Sequence, residues 1–157
     1  MAVEIEAPHA LPLWRLARPS RAARLEEVVH EHRAALDKTH LIWRAPGVWL
    51  AAGQGAQDVA SRVAGHVGAT LFELTGAMLF WRVSGNWIDV LAHGSPLDPA
   101  DQVFNARGVA WTRFIHFEIG VLRSSDATAC HVIGALSVAG DLDAALRRAR
   151  HHAEELP

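Results

Sequence analysis

Between Leu41 and Leu136 the chain is cut into short apolar runs by Pro46-Gly47, Gly53–Gly55, Gly68, Thr75-Gly76, Ser84-Gly85, Gly94 with Pro96, and the Ser124–Asp126 cluster. Glycine and proline end regular elements for backbone reasons, so no long helix or strand fits this region. The runs are rich in Val, Ile, Leu, Phe and Trp and have strand length. LIWRAPGVWLAA predicts two short strands around Pro46-Gly47, and ATLFELTGAMLFWRV predicts two more, joined as a hairpin at Thr75-Gly76. VAWTRFIHF, IGVLRS and ATACHVIGAL also read as strands.

Helical spacing interrupts this pattern in a few places. A first helix is expected after Pro19, capped by Ser20, with Ala22, Leu25, Val28, Val29 and Leu36 recurring at helical intervals until Lys38–Leu41 breaks them. A second follows Gly53–Gly55, carries Val59, Val63 and Val67 on one stripe, and stops at Gly68. Ser84-Gly85 opens a short helix, NWIDVLAHG, which ends at Gly94 and Pro96 and leads into a loop marked by proline and aspartate. The last helix starts near Asp141 with Leu142, Ala145, Leu146 and Ala149 on one face. Its terminal Arg147, Arg148, Arg150, His151 and His152 suit the negative pole of the helix dipole. Short links between strands predict an α+β fold, a mainly antiparallel sheet with helices packed on one side. Pro8, Pro12 and Pro19 mark residues 1–19 as an extended arm, and residues 20–157 read as a single domain.

Composition excludes several classes of function. Of 157 residues, 50% are hydrophobic and 20% charged, enough apolar surface to build a core rather than a disordered chain. A net charge of −2 offers no basic footprint for nucleic acid. Cys130 is the single cysteine, so no intrachain disulfide forms. MAVEIEAPHALPLW carries acids and prolines where a secretory signal needs a basic start, and no apolar run has membrane-spanning length. The expectation is a cytoplasmic protein that engages neither membrane nor nucleic acid. Six Trp and no Tyr are a heavy indole load. Most are expected to fill the core, with one or two available as anchors for a protein partner.

Ten histidines raise the question of a metal site. His30 and His32 flank Glu31 two positions apart on a helix and point to different faces, as do the adjacent His151 and His152. His116 and His131 fall on expected strands without a third ligand, so no metal site is expected. Cys130 and His131 are strand neighbours and project to opposite faces, which separates thiol from imidazole. Ser84-Gly85 lacks the preceding Gly-x of a nucleophile elbow. Gly53-Gln54-Gly55 precedes a helix and could cradle phosphate. However, Asp58 stands where a dinucleotide site has its third glycine, and the sole lysine, Lys38, lies elsewhere. Asp98 and Asp101 sit in a loop with no predictable facing partner. No catalytic residue and no cofactor-binding residue is assigned.

The segment Arg82–Leu122, RVSGNWIDVLAHGSPLDPADQVFNARGVAWTRFIHFEIGVL, carries a further signal. Its Ser84, Gly85, Asp89, Val90, Leu91, Gly94, Pro96, Leu97, Asp98, Phe104, Gly108, Thr112 and Arg113, with Pro46–Leu50 upstream, resemble the gamma subunit family of heterotetrameric sarcosine oxidase. The likeness covers roughly Leu41 to His152. Ser95 and His93 replace that family's cysteine and basic residue, Glu73 and Leu74 its frequent Asp-Ser pair, and Asn86 its frequent proline; an insertion falls between Asp98 and Phe104. The resemblance implies the fold of the glycine-cleavage T-protein folate-binding domain. It implies alpha, beta and delta partner subunits that carry FAD, FMN, NAD, zinc and tetrahydrofolate, with no cofactor on this chain. The complex so implied demethylates sarcosine oxidatively to glycine and passes the one-carbon unit to tetrahydrofolate, and this subunit has a structural part in it. A stand-alone folate- or pterin-binding module related to aminomethyltransferases is the alternative, with Glu73 and Asp89 as candidates to grip a pterin. A subunit of a related methylamino-acid dehydrogenase is another.

Overall fold

The computed structural model describes residues 2–18, 27–28, 39–124 and 128–155. Of the expected first helix, Glu27 and Val28 are described and helical, with Val28 buried. Ser20, Ala22, Leu25, Val29, His30, Glu31, His32, Leu36 and Lys38 lie outside the described residues.

The stretch expected as an arm is extended, but it is paired: β1 is Glu4–Ile5 and β2 is Leu13–Ala17. These two strands enter different sheets. The chain divides into two compact units, Ala10–Ala77 and Met1–His9 with Met78–Pro157.

In the unit Ala10–Ala77, β2 is joined by β3 (Thr39–Ala45), β4 (Val48–Gly53) and β5 (Thr70–Glu73), in the order β3-β4-β2-β5. Every pairing is antiparallel. Helix α1 (Ala56–Val67) joins β4 to β5 and packs on one face. Val59, Val63 and Val67 are buried with Ala56, Ala60 and Ala64 against Leu16, Leu41, Trp49 and Ala51, the core the valine spacing predicted. Burying each valine stabilises the unit by roughly 1.5–3 kcal/mol relative to leaving it in water. Gly68 ends α1 in the left-handed conformation, and its N–H donates to the Ala64 carbonyl at 2.7 Å.

The other unit contains β6 (Met78–Ser84), α2 (Trp87–Ala92), α3 (Gln102–Arg107), β7 (Val109–Phe114), β8 (Phe117–Arg123), β9 (Ala129–Ala135) and α4 (Ala139–Glu155). Its antiparallel sheet runs β1-β6-β9-β8-β7. One face, with Trp81, Val83, Ile119, Val121, Cys130 and Val132, takes the helices through Trp87, Val90, Leu91, Phe104, Leu142, Ala145, Leu146 and Ala149. The buried residues of α4 are the four its sequence stripe named. Gly134 lets α4 approach this closely, because a Cβ there would overlap the Leu142 methyl and come within 3.2 Å of the Trp81 ring.

Three local expectations fail for identifiable reasons. Thr75-Gly76 does form a tight turn, with Gly76 at φ 83° and the Ala77 N–H donating to Leu74 at 2.9 Å. Yet β5 and β6 are not a hairpin: β5 pairs with β2, and β6 pairs with β1 and β9. Turn chemistry sets the reversal, whereas the strand partner is chosen by burial of residues distant in sequence. The expected loop after Pro96 contains α3, whose Asp101 carboxylate accepts from the Phe104 N–H at 2.9 Å, an N-cap legible in the sequence. Finally, VAWTRFIHF is not one strand but turns at Ile115-His116, with Phe114 paired to Phe117.

Among the described residues no helix is long and apolar enough to cross a membrane.

Candidate interaction surface

The residues singled out for chemistry are scattered or occupied. His116 lies in the β7–β8 turn rather than on a strand, and His131 pairs with Leu122 at the far end of β8. At 3.4 Å per residue that separates them by roughly 20 Å. His152 stacks against His93, ring centroids 6.1 Å apart, and its Nδ1 lies 3.7 Å from Glu155. Among the described residues no three His, Cys, Asp or Glu side chains gather as metal ligands. Gly53 and Gly55 both have positive φ, and Gly55 caps α1 with Asp58 in the first turn. Glu73 and Asp89 are both exposed and belong to different units. The Asp89 carboxylate accepts from the Asn86 amide, which occupies it within the start of α2.

Cys130 is fully buried in the helix-side core, and burial pushes its thiol pKa up to about 12. The reactive thiolate is therefore scarce at neutral pH. Iodoacetamide is expected to leave Cys130 unmodified in the folded protein and to label it fully in denaturant. Labelling at comparable rates in both states would contradict this burial.

The block that resembles the sarcosine oxidase gamma family is used to build the connection from β6 to β7. The hydroxyls of Ser95 and Thr112 lie 3.5 Å apart, and Ser95 Oγ accepts from the Leu97 N–H at 3.2 Å. The Asp98 carboxylate accepts from the Ala100 N–H at 2.8 Å. Phe104 is buried beneath the Arg123 guanidinium, 5.0 Å from its ring centroid, and Arg123 also donates to the Pro99 carbonyl at 3.1 Å. Gly108 ends α3 at φ 69°, and Arg113 is exposed. These positions shape a loop rather than present reactive groups.

The six indoles are packed. Trp49, Trp81 and Trp87 are buried, and Trp14, Trp43 and Trp111 are half-buried. The Trp81 indole N–H donates to Asp143 at 3.0 Å, and Arg147 clamps the same carboxylate at 2.8 and 3.1 Å. The hydrogen bonds from Arg147 hold the Asp143 carboxyl below its ordinary range despite partial burial, with the Trp81 indole assisting.

Apart from Phe72, the exposed large apolar side chains are aliphatic: Ile88, Val103, Ile115 and Leu136. In the unit containing α4, Ile115 is 54% exposed and Leu136 is 55% exposed. Leu136 opens a 3-10 turn, Leu136–Val138, directly after β9, and Ile115 lies in the β7–β8 turn, so both sit at the same end of the antiparallel sheet. Ile115 has φ 59°, a conformation β-branched residues avoid at a cost of about 1–2 kcal/mol. The Gly94 carbonyl accepts its N–H at 2.6 Å and holds the turn in place. Nothing in the sequence pattern distinguished Ile115 from an ordinary strand residue, because its exposure depends on the turn.

No protein-family model and no curated protein matches the sequence. Among solved structures, a chain of heterotetrameric sarcosine oxidase from Corynebacterium sp. U-96, in complex with pyrrole 2-carboxylate, is 13% identical and superposes with a TM-score of 0.75. That match covers 99% of this chain and 87% of that chain. Aspartate kinase from Clostridium acetobutylicum is 6% identical with a TM-score of 0.53, over 96% of this chain and 35% of that chain. The polypeptide thus has an α+β fold of antiparallel sheets and helices like that of a sarcosine oxidase chain.

Proposed function

We propose that this chain is a non-catalytic, gamma-type structural subunit of a heterotetrameric, sarcosine-oxidase-like flavoenzyme. The observation that carries the reading is the likeness to a sarcosine oxidase chain over 99% of this chain and 87% of the other. A likeness over nearly the whole of both chains favours an equivalent component over a shared fragment. The block Arg82–Leu122 supports it from the sequence side. In this reading FAD, FMN, NAD, zinc and the tetrahydrofolate site reside on alpha, beta and delta partners in the cytoplasm. The assembly demethylates sarcosine to glycine and transfers the one-carbon unit to tetrahydrofolate, and this chain holds its partners in register.

The end of the five-stranded sheet with Ile115 and Leu136 is the proposed docking face. Two half-exposed aliphatic side chains, one on a strained turn, are costly to leave in water and gain by burial against a partner. Co-expression with the flavin-binding subunits of a sarcosine oxidase from the same organism is expected to give a co-purifying complex. The double variant Ile115→Asp, Leu136→Asp is expected to reduce recovery at least about tenfold, since charge at an apolar interface core is strongly disfavoured. Its thermal midpoint should stay close to that of the unsubstituted chain. The reading is abandoned if the isolated chain oxidises sarcosine or retains flavin, or if no complex forms.

A further inference from the structure

Strand β2 reads Leu-Trp-Arg-Leu-Ala, and alternation sends Trp14 and Leu16 to the α1 face while Arg15 and Ala17 point away from it. A continuing strand would place residue 18 on the α1 face with Leu16. Arg18 instead has φ 53°, a left-handed backbone rare outside glycine, and the alternation ends there. As a result Arg15 and Arg18 line the same cleft, of about 360 Å³, with Ala17, Pro46, Gly47, Val48 and Phe72. All of these belong to the unit Ala10–Ala77.

The cleft has a definite chemistry. Among the described residues no carboxylate lines it. Among the described residues neither Arg15 nor Arg18 has an ion pair or a hydrogen-bond acceptor for its guanidinium. Arg15 lies 5.9 Å from the Phe72 ring centroid, directly across the β2–β5 pairing, and Phe72 is 44% exposed. Two planar donor forks, without acceptors among the described residues, therefore stand against an apolar bed of Phe72, Pro46, Val48 and Ala17. Such forks match carboxylate and phosphate oxygens, and the bed offers contact to an apolar body. The volume suits a small molecule.

We propose that this cleft binds a small organic anion, a carboxylate or phosphate monoester carried on a flat apolar body. The assignment is independent of any role as a subunit, because every lining residue is on this chain. Uniformly labelled full-length protein is titrated with benzoate, phenyl phosphate, inorganic phosphate and the neutral isostere benzamide, and amide shifts are followed by NMR. Benzoate or phenyl phosphate is expected to give saturable shifts confined to residues 15–18, 46–48 and 70–73, and the tighter of the two identifies the headgroup. Benzamide and inorganic phosphate are expected to bind at least about tenfold more weakly, lacking the charge and the body respectively. Arg15→Gln is expected to weaken binding about tenfold. Arg18→Gly should do the same while relaxing the left-handed backbone, so a loss there is not a folding defect. Undiminished binding in these variants, equal binding of benzamide, equal binding of inorganic phosphate, or no saturable shift with either organic anion overturns the proposal.

Discussion

Trp81→Ala is expected to destabilise the five-stranded unit by about 3–5 kcal/mol, the range for removing a large buried aromatic side chain. Trp81 is fully buried on β6 and meets α4 at Gly134 and Leu142. Gly134, the glycine that admits α4, has no side chain of its own to fill the space vacated by the indole. The substitution further removes the N–H that Asp143 accepts at 3.0 Å, although Arg147 still holds that carboxylate. Trp81→Phe separates the two contributions: it keeps most of the packing, loses the hydrogen bond, and should cost well under half as much. Denaturant unfolding measures both variants. A loss below about 1 kcal/mol for the alanine variant would mean that the indole does not hold α4 to the sheet.

A second large effect is expected at Gly85, where the outcome is local. Gly85 has φ 81°, and a Cβ there would overlap the backbone carbonyl of Ala2. An alanine pays about 1–2 kcal/mol for the left-handed backbone and cannot relieve the overlap by rotating a side chain. The chain yields at its N-terminal end. β1 should separate from β6, exposing Val3 and Ile5 and breaking the bond from the Glu6 N–H to the Arg82 carbonyl at 3.0 Å. Hydrogen exchange reads this directly. Glu6 should lose its protection in Gly85→Ala, while β8 and β9 amides keep theirs. Unchanged exchange at Glu6 would show that the N-terminal strand does not depend on this approach. The exposed ion pair between Arg82 and Glu6 at 2.9 Å is too weak to hold β1 in place.

Gly85 also clarifies what the resemblance to the sarcosine oxidase gamma family consists of. Gly85, Gly94, Leu97, Phe104 and Gly108 each meet a backbone or packing requirement of the β6–β7 connection. A short family signature built from such residues reports a fold, and the likeness to a sarcosine oxidase chain is a likeness of fold. Function then has to be read from surfaces, where the same residues are silent.

Local physical chemistry was legible in the amino-acid order. The stripes Val59, Val63, Val67 and Leu142, Ala145, Leu146, Ala149 named two buried helix faces, because helical periodicity is a property of a few consecutive turns. The strands on either side of Pro46-Gly47 were legible for the same reason, as was the inert burial of Cys130. The cap at Asp101 is equally local, one carboxylate three residues before the N–H it accepts from. Strand partnership was of another kind. The assignment of β5 and β6 to different sheets, and of β1 and β2 likewise, depends on burial against residues far along the chain. The convergence of Arg15, Arg18 and Phe72, and the exposure of Ile115 at the same sheet end as Leu136, follow from sheet register and two left-handed residues. Periodicity specifies which face of an element is apolar, but only the assembled backbone decides what that face, or its opposite, comes to meet.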